Sequence, residues 1–311
     1  MAGKLYLCAT PIGNLEDITY RVLRTLGEVD LIAAEDTRNT IKLLNHFEIK
    51  TPMTSYHEYN KIEKAYQLVA KLKEGKNIAL ITDAGTPGIS DPGEDIVRIC
   101  YEEGVPVTSL PGAAACITAL TMSGRPTRRF AFEAFLPRDK KERSQVLNQL
   151  VNETRTIIIY EAPHHLVKTL EELLDTLGNR KIAICRELTK RYEEKNLTTL
   201  EDAIRYYEEN EPRGEYVLVL DGKTFEDALM TRKFEPDAPN FTPRISAIMN
   251  LDEKYTYKMS ILKSGDAEGT VCNRYFFEYV FPVIPHQFFC AAYSLHLLSI
   301  LRNRKSPQQH P

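Results

Sequence analysis

Between Lys4 and Gly222, short apolar runs alternate with longer, charged amphipathic stretches, and this alternation restricts the fold more than any other feature of the chain. Strands are expected at Lys4–Ala9, Asp30–Ala34, Asn77–Thr82, Val105–Leu110, Phe130–Phe135, Thr156–Tyr160, Lys181–Cys185 and Tyr216–Leu220. Helical periodicity falls between them, notably over Asn60–Glu74, Gly93–Glu103, Lys140–Asn152 and His164–Leu177. Strand, helix and strand at this spacing predict βαβ units and a largely parallel sheet. Met122–Arg129 reads as the crossing between two α/β domains, which gives segments 1–122, 123–222 and 223–311.

Charge and cysteine usage narrow the function. Forty Lys+Arg against 43 Asp+Glu leave a net charge of −3, so any RNA contact must rest on a local patch. With 43% hydrophobic and 27% charged residues, the chain can bury a sizeable core, which excludes wholesale disorder and a polytopic membrane protein. Cys8, Cys100, Cys116, Cys185, Cys272 and Cys290 are scattered and show no zinc-type spacing. They read as reduced, mostly buried thiols of a cytoplasmic protein, and no metal is expected. The start, Met1–Lys4, has no leader pattern. The apolar stretch His286–Leu301 is too short for the ~20 residues of a membrane span, so no membrane partner is expected.

The chemistry is concentrated in loops. Thr82-Asp-Ala-Gly-Thr-Pro-Gly-Ile-Ser-Asp-Pro-Gly93 follows one apolar run and precedes an amphipathic one. Glycines permit close backbone approach while Pro87 and Pro92 stiffen the turn. A loop like this at the carboxyl end of a parallel strand is where α/β folds hold small ligands. It matches neither a Walker A loop nor GxGxxG, so a nucleoside triphosphate or dinucleotide is not supported. A plain βα connection is the competing reading, although such connections need only ~2–6 residues. Thr10–Leu15 and Leu110–Ala115 follow two other strands in the same manner. Three Pro/Gly loops at one sheet edge favour a shared crevice.

These loops carry a resemblance. Thr10–Ile18, Ala34-Glu-Asp-Thr-Arg38, Asp83–Gly93, Leu110-Pro-Gly112, Phe135-Leu-Pro137, Tyr160-Glu-Ala-Pro-His164 and Arg186-Glu-Leu-Thr-Lys190 resemble, in order, the tetrapyrrole-methylase superfamily. Within it they are similar to the enzymes that methylate small-subunit ribosomal RNA. The resemblance implies two α/β domains of the tetrapyrrole-methylase type with the cofactor cleft between them, plus an irregular mixed α/β C-terminal appendage. It also implies S-adenosyl-L-methionine as cofactor and 2′-O-ribose methylation of a cytidine in small-subunit (16S) rRNA. The 30S ribosomal subunit is then the partner, and a homodimer is possible because superfamily members commonly dimerise.

Carried over by motif, the cofactor contacts are Pro11, Ala84, Gly85, Thr86, Ile89, Ala114, Ala115, Glu161 and Leu188. A ribose hydroxyl is a poor nucleophile at neutral pH, so a nearby base would help. Catalytic or orienting candidates are Asp36, His57 and Glu187, with Glu35 beside Asp36. The competing reading of each carboxylate is a helix cap or the ion-pair partner of Arg38 or Arg186, and that of His57 is a packed loop residue. Arg38, Lys42, Arg138 and Lys190 are the RNA-binding candidates, with Lys140, Lys141, Arg143 and Arg191 nearby. Lys140–Arg143 also reads as a solvated helix start.

The chain departs from the pattern at four places. Tyr59 stands for a usual histidine, Ala134 for a glycine, His165 for an arginine, and Asn196–Thr198 lacks a glycine. The small helical C-terminal domain usual in the family is also missing. Instead Phe234–Ser246, Tyr257–Ser264 and Cys272–Glu278 resemble part of the IMP cyclohydrolase-like family. The competing functions are therefore purine-nucleotide cyclohydrolase-like activity or nucleotide binding from that segment, or non-catalytic ribosome binding.

Overall fold

The computed structural model describes residues 2–224. In the first half, five strands alternate with helices. They are β1 (Leu5–Cys8), α1 (Tyr20–Glu28), β2 (Leu31–Ala34), α2 (Thr37–His46), β3 (Met53–Ser55), α3 (Lys61–Lys73), β4 (Ile78–Ile81), α4 (Glu94–Glu102) and β5 (Val107–Leu110). Every pairing is parallel and the order is β3-β2-β4-β1-β5. All four residues of β4 are buried, as expected for a central strand covered on both faces. Ile78 and Leu80 pack into the core beneath α3 and α4, while Ala79 and Ile81 face the opposite core with Val22, Leu26 and Leu44. This split follows the two-residue period of a strand.

The helix starts are capped by the residues that precede them. The Thr19 hydroxyl accepts the Val22 N–H ahead of α1, and an Asp36 carboxylate oxygen accepts the Arg38 N–H ahead of α2.

α5 (Ala115–Met122) leaves the first sheet and buries Cys116, Ala119 and Leu120 against the second. The second half comprises β6 (Phe130–Phe135), α6 (Lys140–Leu150), β7 (Thr156–Glu161), α7 (Leu166–Leu177), β8 (Lys181–Arg186), β9 (Glu194–Thr199), α8 (Leu200–Glu209) and β10 (Tyr216–Leu220). Its order is β6-β7-β10-β8-β9. In β7, Ile157 and Ile159 join the core under α6–α8, while Ile158 faces α5. β8 and β10 alternate in the same way, and small Ala183 and Cys185 leave room for α5.

The second sheet corrects one expectation. Only β6 and β7 are parallel, and β10 runs antiparallel to β7 and β8, as β9 does to β8. β8 and β9 form a hairpin, and residues 187–193 turn the chain with Glu187 and Thr189 in the left-handed region (φ 50° and 65°). Apolar periodicity reports burial and not strand direction, so it could not separate this hairpin from a crossover. The polar edge strand β9 and the three-residue β3 gave too little signal to be read from sequence.

Cys8, Cys100, Cys116 and Cys185 are buried free thiols. Among the described residues no helix is long and apolar enough to cross a membrane. The expected mixed α/β C-terminal appendage, the IMP cyclohydrolase-like segments 234–246, 257–264 and 272–278, the apolar stretch 286–301, Cys272 and Cys290 lie outside the described residues.

Candidate cofactor crevice and acid/base edge

In the first sheet the chain leaves β1 toward β2 and leaves β4 toward β5, on the opposite side. The carboxyl ends of β4 and β1 therefore form a switch point, the usual ligand position in such sheets. The loops there are stitched together. Thr10 and Gly85 exchange both backbone hydrogen bonds, at 2.8 and 3.0 Å. The Thr10 hydroxyl donates to the Thr82 carbonyl (3.0 Å), and the Thr86 hydroxyl donates to that of Ala113 (2.9 Å). Thus the loops after β1, β4 and β5, predicted to share a crevice, are held as one edge.

The crevice is cut to backbone depth. Gly85 has φ +85°, and a Cβ placed there would lie 3.4 Å from Ile12 Cγ2 and 3.6 Å from the Ala113 carbonyl oxygen. A side chain at this position therefore enters the space between the first and third loops. Ala84 and Ile89 are exposed on the long loop, while Pro11, Thr86, Ala114 and Ala115 are half-buried.

The far wall comes from the second half. A Cβ on Gly13 would meet Lys190 Cγ at 2.4 Å, Thr189 Oγ1 at 2.8 Å and the Leu188 carbonyl oxygen at 3.0 Å, so only glycine fits. Ile12, Ala114 and Ala115 pack against the buried cluster that includes Leu188. The Tyr160 hydroxyl accepts the Cys116 N–H at the start of α5 (3.0 Å). Buried Thr82 Oγ1 and Thr189 Oγ1 have no hydrogen-bond partner. A small-residue cradle with two such atoms in its bordering loops fits a polar ligand with a flat apolar body, as S-adenosylmethionine is.

Glu161 sits apart from this ring. It is buried at the end of β7, where one carboxylate oxygen accepts the Ala162 N–H and the other the Thr169 hydroxyl. It forms the floor of a separate hollow with Phe135, Arg138 and His165.

On the other side of β4 lies an acid/base edge. Because Ala34 and Ser55 are register partners, Glu35–Asp36 and Tyr56–His57 emerge side by side. Glu35 Oε2 accepts the Asp83 N–H (3.2 Å), and Asn39 Nδ2 donates to Asp83 Oδ2 (3.1 Å). Burial, reinforced by the Asp83, Asp36 and Glu58 charges, pushes Glu35 up despite the Asp83 N–H. Asp91 is affected far more. Burial, followed by the Glu35 and Asp83 charges, raises it to about 7. Sequence reasoning missed Asp91. Its signal was an acid between Ser90 and Pro92 in a stiff loop that returns to an acidic strand end.

The sequence candidates differ in what they are free to do. Asp36 is engaged by the Arg38 side chain and peptide N–H, which hold it down at about 2. Burial pushes Glu187 up, but Lys190 and the Glu215 N–H outweigh it and hold it below its ordinary value. Both are therefore weak bases that persist as fixed charges. His57 keeps a buried Nδ1 without a hydrogen-bond partner. Among the cations, Arg38 is exposed over Asp36, Lys42 and Arg138 are exposed, and Lys190 bridges Glu187 and Glu215 at 2.9 and 2.8 Å.

Comparison with known proteins agrees with this arrangement. The tetrapyrrole (corrin/porphyrin) methylase profile matches residues 4–204. The ribosomal RNA small subunit methyltransferase I of Synechocystis sp. is 54% identical over 226 residues, 72% of this chain and 81% of that protein. That of Thermotoga maritima is 46% identical over 221 residues, 71% of this chain and 99% of the relative. Uroporphyrin-III C-methyltransferase of Thermus thermophilus, in complex with S-adenosylhomocysteine, superposes with a TM-score of 0.51 at 19% identity. That superposition covers 70% of this chain and 97% of the other. The IMP cyclohydrolase-like profile matches residues 217–295. Its first four residues, Val217–Leu220, lie in β10, the central strand of the second methylase sheet. With a profile spanning nearly the whole of both sheets and relatives at about half identity, this chain belongs to the tetrapyrrole (corrin/porphyrin) methylase family and, within it, groups with the ribosomal RNA small subunit methyltransferases I.

Proposed function

We propose that the chain is an S-adenosyl-L-methionine-dependent methyltransferase that methylates the ribose 2′-hydroxyl of a cytidine in small-subunit (16S) rRNA. The observation that carries this reading is the three-loop crevice closed by the Leu188–Lys190 turn, together with 54% identity to a named rRNA methyltransferase. The 30S subunit is the substrate-bearing partner, and the working place is the cytoplasm. A homodimer belongs to the same reading, and sedimentation tests it.

Pro11, Ala84, Gly85, Thr86, Ile89, Ala114, Ala115 and Leu188 form the cofactor cradle, and Glu161 stands apart from it beneath the neighbouring hollow. When bound, the cofactor supplies an electrophilic methyl group on a sulfonium. In the reaction the carbon–sulfur bond breaks as the carbon–oxygen bond to the ribose forms, and the hydroxyl proton leaves. Holding the two groups in line supplies much of the rate. Asp91, poised near neutrality at the acid/base edge, takes the proton. His57 assists from the neighbouring strand end, while Asp36 and Glu187 orient Arg38 and Lys190, which with Lys42 and Arg138 meet RNA phosphates.

Full-length protein is incubated with the cofactor and with 30S subunits from cells lacking the gene, and the rRNA is mapped by mass spectrometry. One 2′-O-methylcytidine is expected. Binding of the subunit without methylation would favour the non-catalytic reading.

A further inference from the structure

Outside the crevice, the carboxyl ends of β6 and β7 enclose a hollow of about 430 Å³. This lies within the ~300–1,000 Å³ of small-ligand clefts. Its floor is Glu161, and its rim includes Phe135, Arg138, His164, His165 and Lys168. Three observations set it apart from a packing defect. The Phe135 ring is 56% exposed at the end of a strand whose other aromatic residues are at least half-buried. The His164 and His165 rings lie 4.2 Å apart at the opposite rim. Arg138 forms no hydrogen bond or ion pair among the described residues, and Lys168 has only a 3.8 Å approach to Glu172. Arg143, by contrast, is fixed by Glu172 and Thr169.

An exposed ring flanked by uncommitted cations is the combination that seats single-stranded nucleic acid. The ring stacks a base, and the cations take the backbone. The hollow is also wired to the crevice. Phe135 packs edge-on against Tyr160 at 5.6 Å, and the Tyr160 hydroxyl holds the start of α5. Both Glu161 oxygens are already occupied by donors of its own chain, which leaves the rim to supply recognition.

We propose that this hollow is an RNA subsite seating one unstacked nucleotide that flanks the methylated cytidine, with its base on Phe135 and its phosphate between Arg138 and Lys168. The proposal rests on the rRNA-methyltransferase reading. His165, where the family pattern has arginine, adds a ring to the stack in place of a fixed cation.

The test measures methylation of unmodified 30S subunits by full-length Phe135→Ala, Phe135→Trp and the Arg138→Gln/Lys168→Gln double variant, with cofactor affinity measured in parallel by calorimetry. Phe135→Ala is expected to raise KM about tenfold, equivalent to ~1.4 kcal/mol, and Phe135→Trp to restore it. The double variant is expected to flatten the slope of log KM against log salt by roughly 0.7 per lost phosphate contact. Cofactor affinity should not change. An unchanged KM and salt slope would overturn the proposal, as would a parallel loss of cofactor affinity, which would assign the hollow to the cofactor. If wild-type protein does not methylate, the underlying reading fails instead.

Discussion

Thr10 and Gly85, 75 residues apart in sequence, exchange both of their backbone hydrogen bonds, and this bridge makes one crevice of two loops. Gly85 contributes conformation as well as space, because its φ of +85° disfavours any side chain. Gly85→Ala should cost about 1 kcal/mol of stability, and Gly85→Arg should abolish cofactor binding in a calorimetric titration. Gly104→Ala is the control. It carries a similar φ (+67°) with nothing near its Cβ, so it should lose comparable stability and keep full affinity.

Asp91 should govern the pH dependence of the rate. Its carboxyl is raised to about 7, so kcat should climb through an inflection near pH 7. Asp91→Asn should flatten that profile and slow the reaction ~10²–10⁴-fold. Stability should change in the opposite sense. The unfolded chain releases this proton near pH 4, so the folded state holds it more tightly and loses stability as pH rises from about 4 to 7. At pH 8, Asp91→Asn should therefore be more stable, by about 1–2 kcal/mol after allowance for solvent screening, in urea titrations.

Ala134 stands where the family pattern has glycine, and its φ is +51°, at the irregularity between Phe132 and Phe135 in β6. A methyl group in the left-handed region costs ~1–2 kcal/mol. Ala134→Gly should raise stability by about 1 kcal/mol in thermal unfolding, with no change in cofactor affinity.

The Thr169 hydroxyl donates to buried Glu161. Thr169→Val keeps the shape and removes the donor, leaving a carboxylate oxygen unsatisfied. A loss of roughly 1–3 kcal/mol is expected in denaturant titrations. Thr169→Ser should recover most of it.

Most of the fold was legible because burial writes itself into sequence. The apolar runs at Ile78–Ile81 and Tyr216–Leu220 were legible as strands, and both are fully buried in the centres of their sheets. What stayed hidden was direction and proximity. Nothing local in Lys181–Arg186 says that its next partner, β9, returns antiparallel. The cradle was visible as Pro/Gly loops, but its stitching was not, since Thr10 and Gly85 meet only through the strand order. The acid/base edge was half legible. Glu35 and Asp36 stood out as a strand-end pair, whereas Asp91 acquires its character first from burial and then from the charges of Glu35, more than fifty residues away, and of Asp83. Glu161 shows the converse. Its motif is distinctive, yet the fold places it beneath a second hollow.

The most direct test is a mass-spectrometric map of 2′-O-methylation on small-subunit rRNA from cells lacking this gene, complemented with the wild-type chain or with Gly85→Arg. One cytidine should be methylated with wild type and none with Gly85→Arg. An unmethylated cytidine in the wild-type complement, or full methylation by Gly85→Arg, would contradict it.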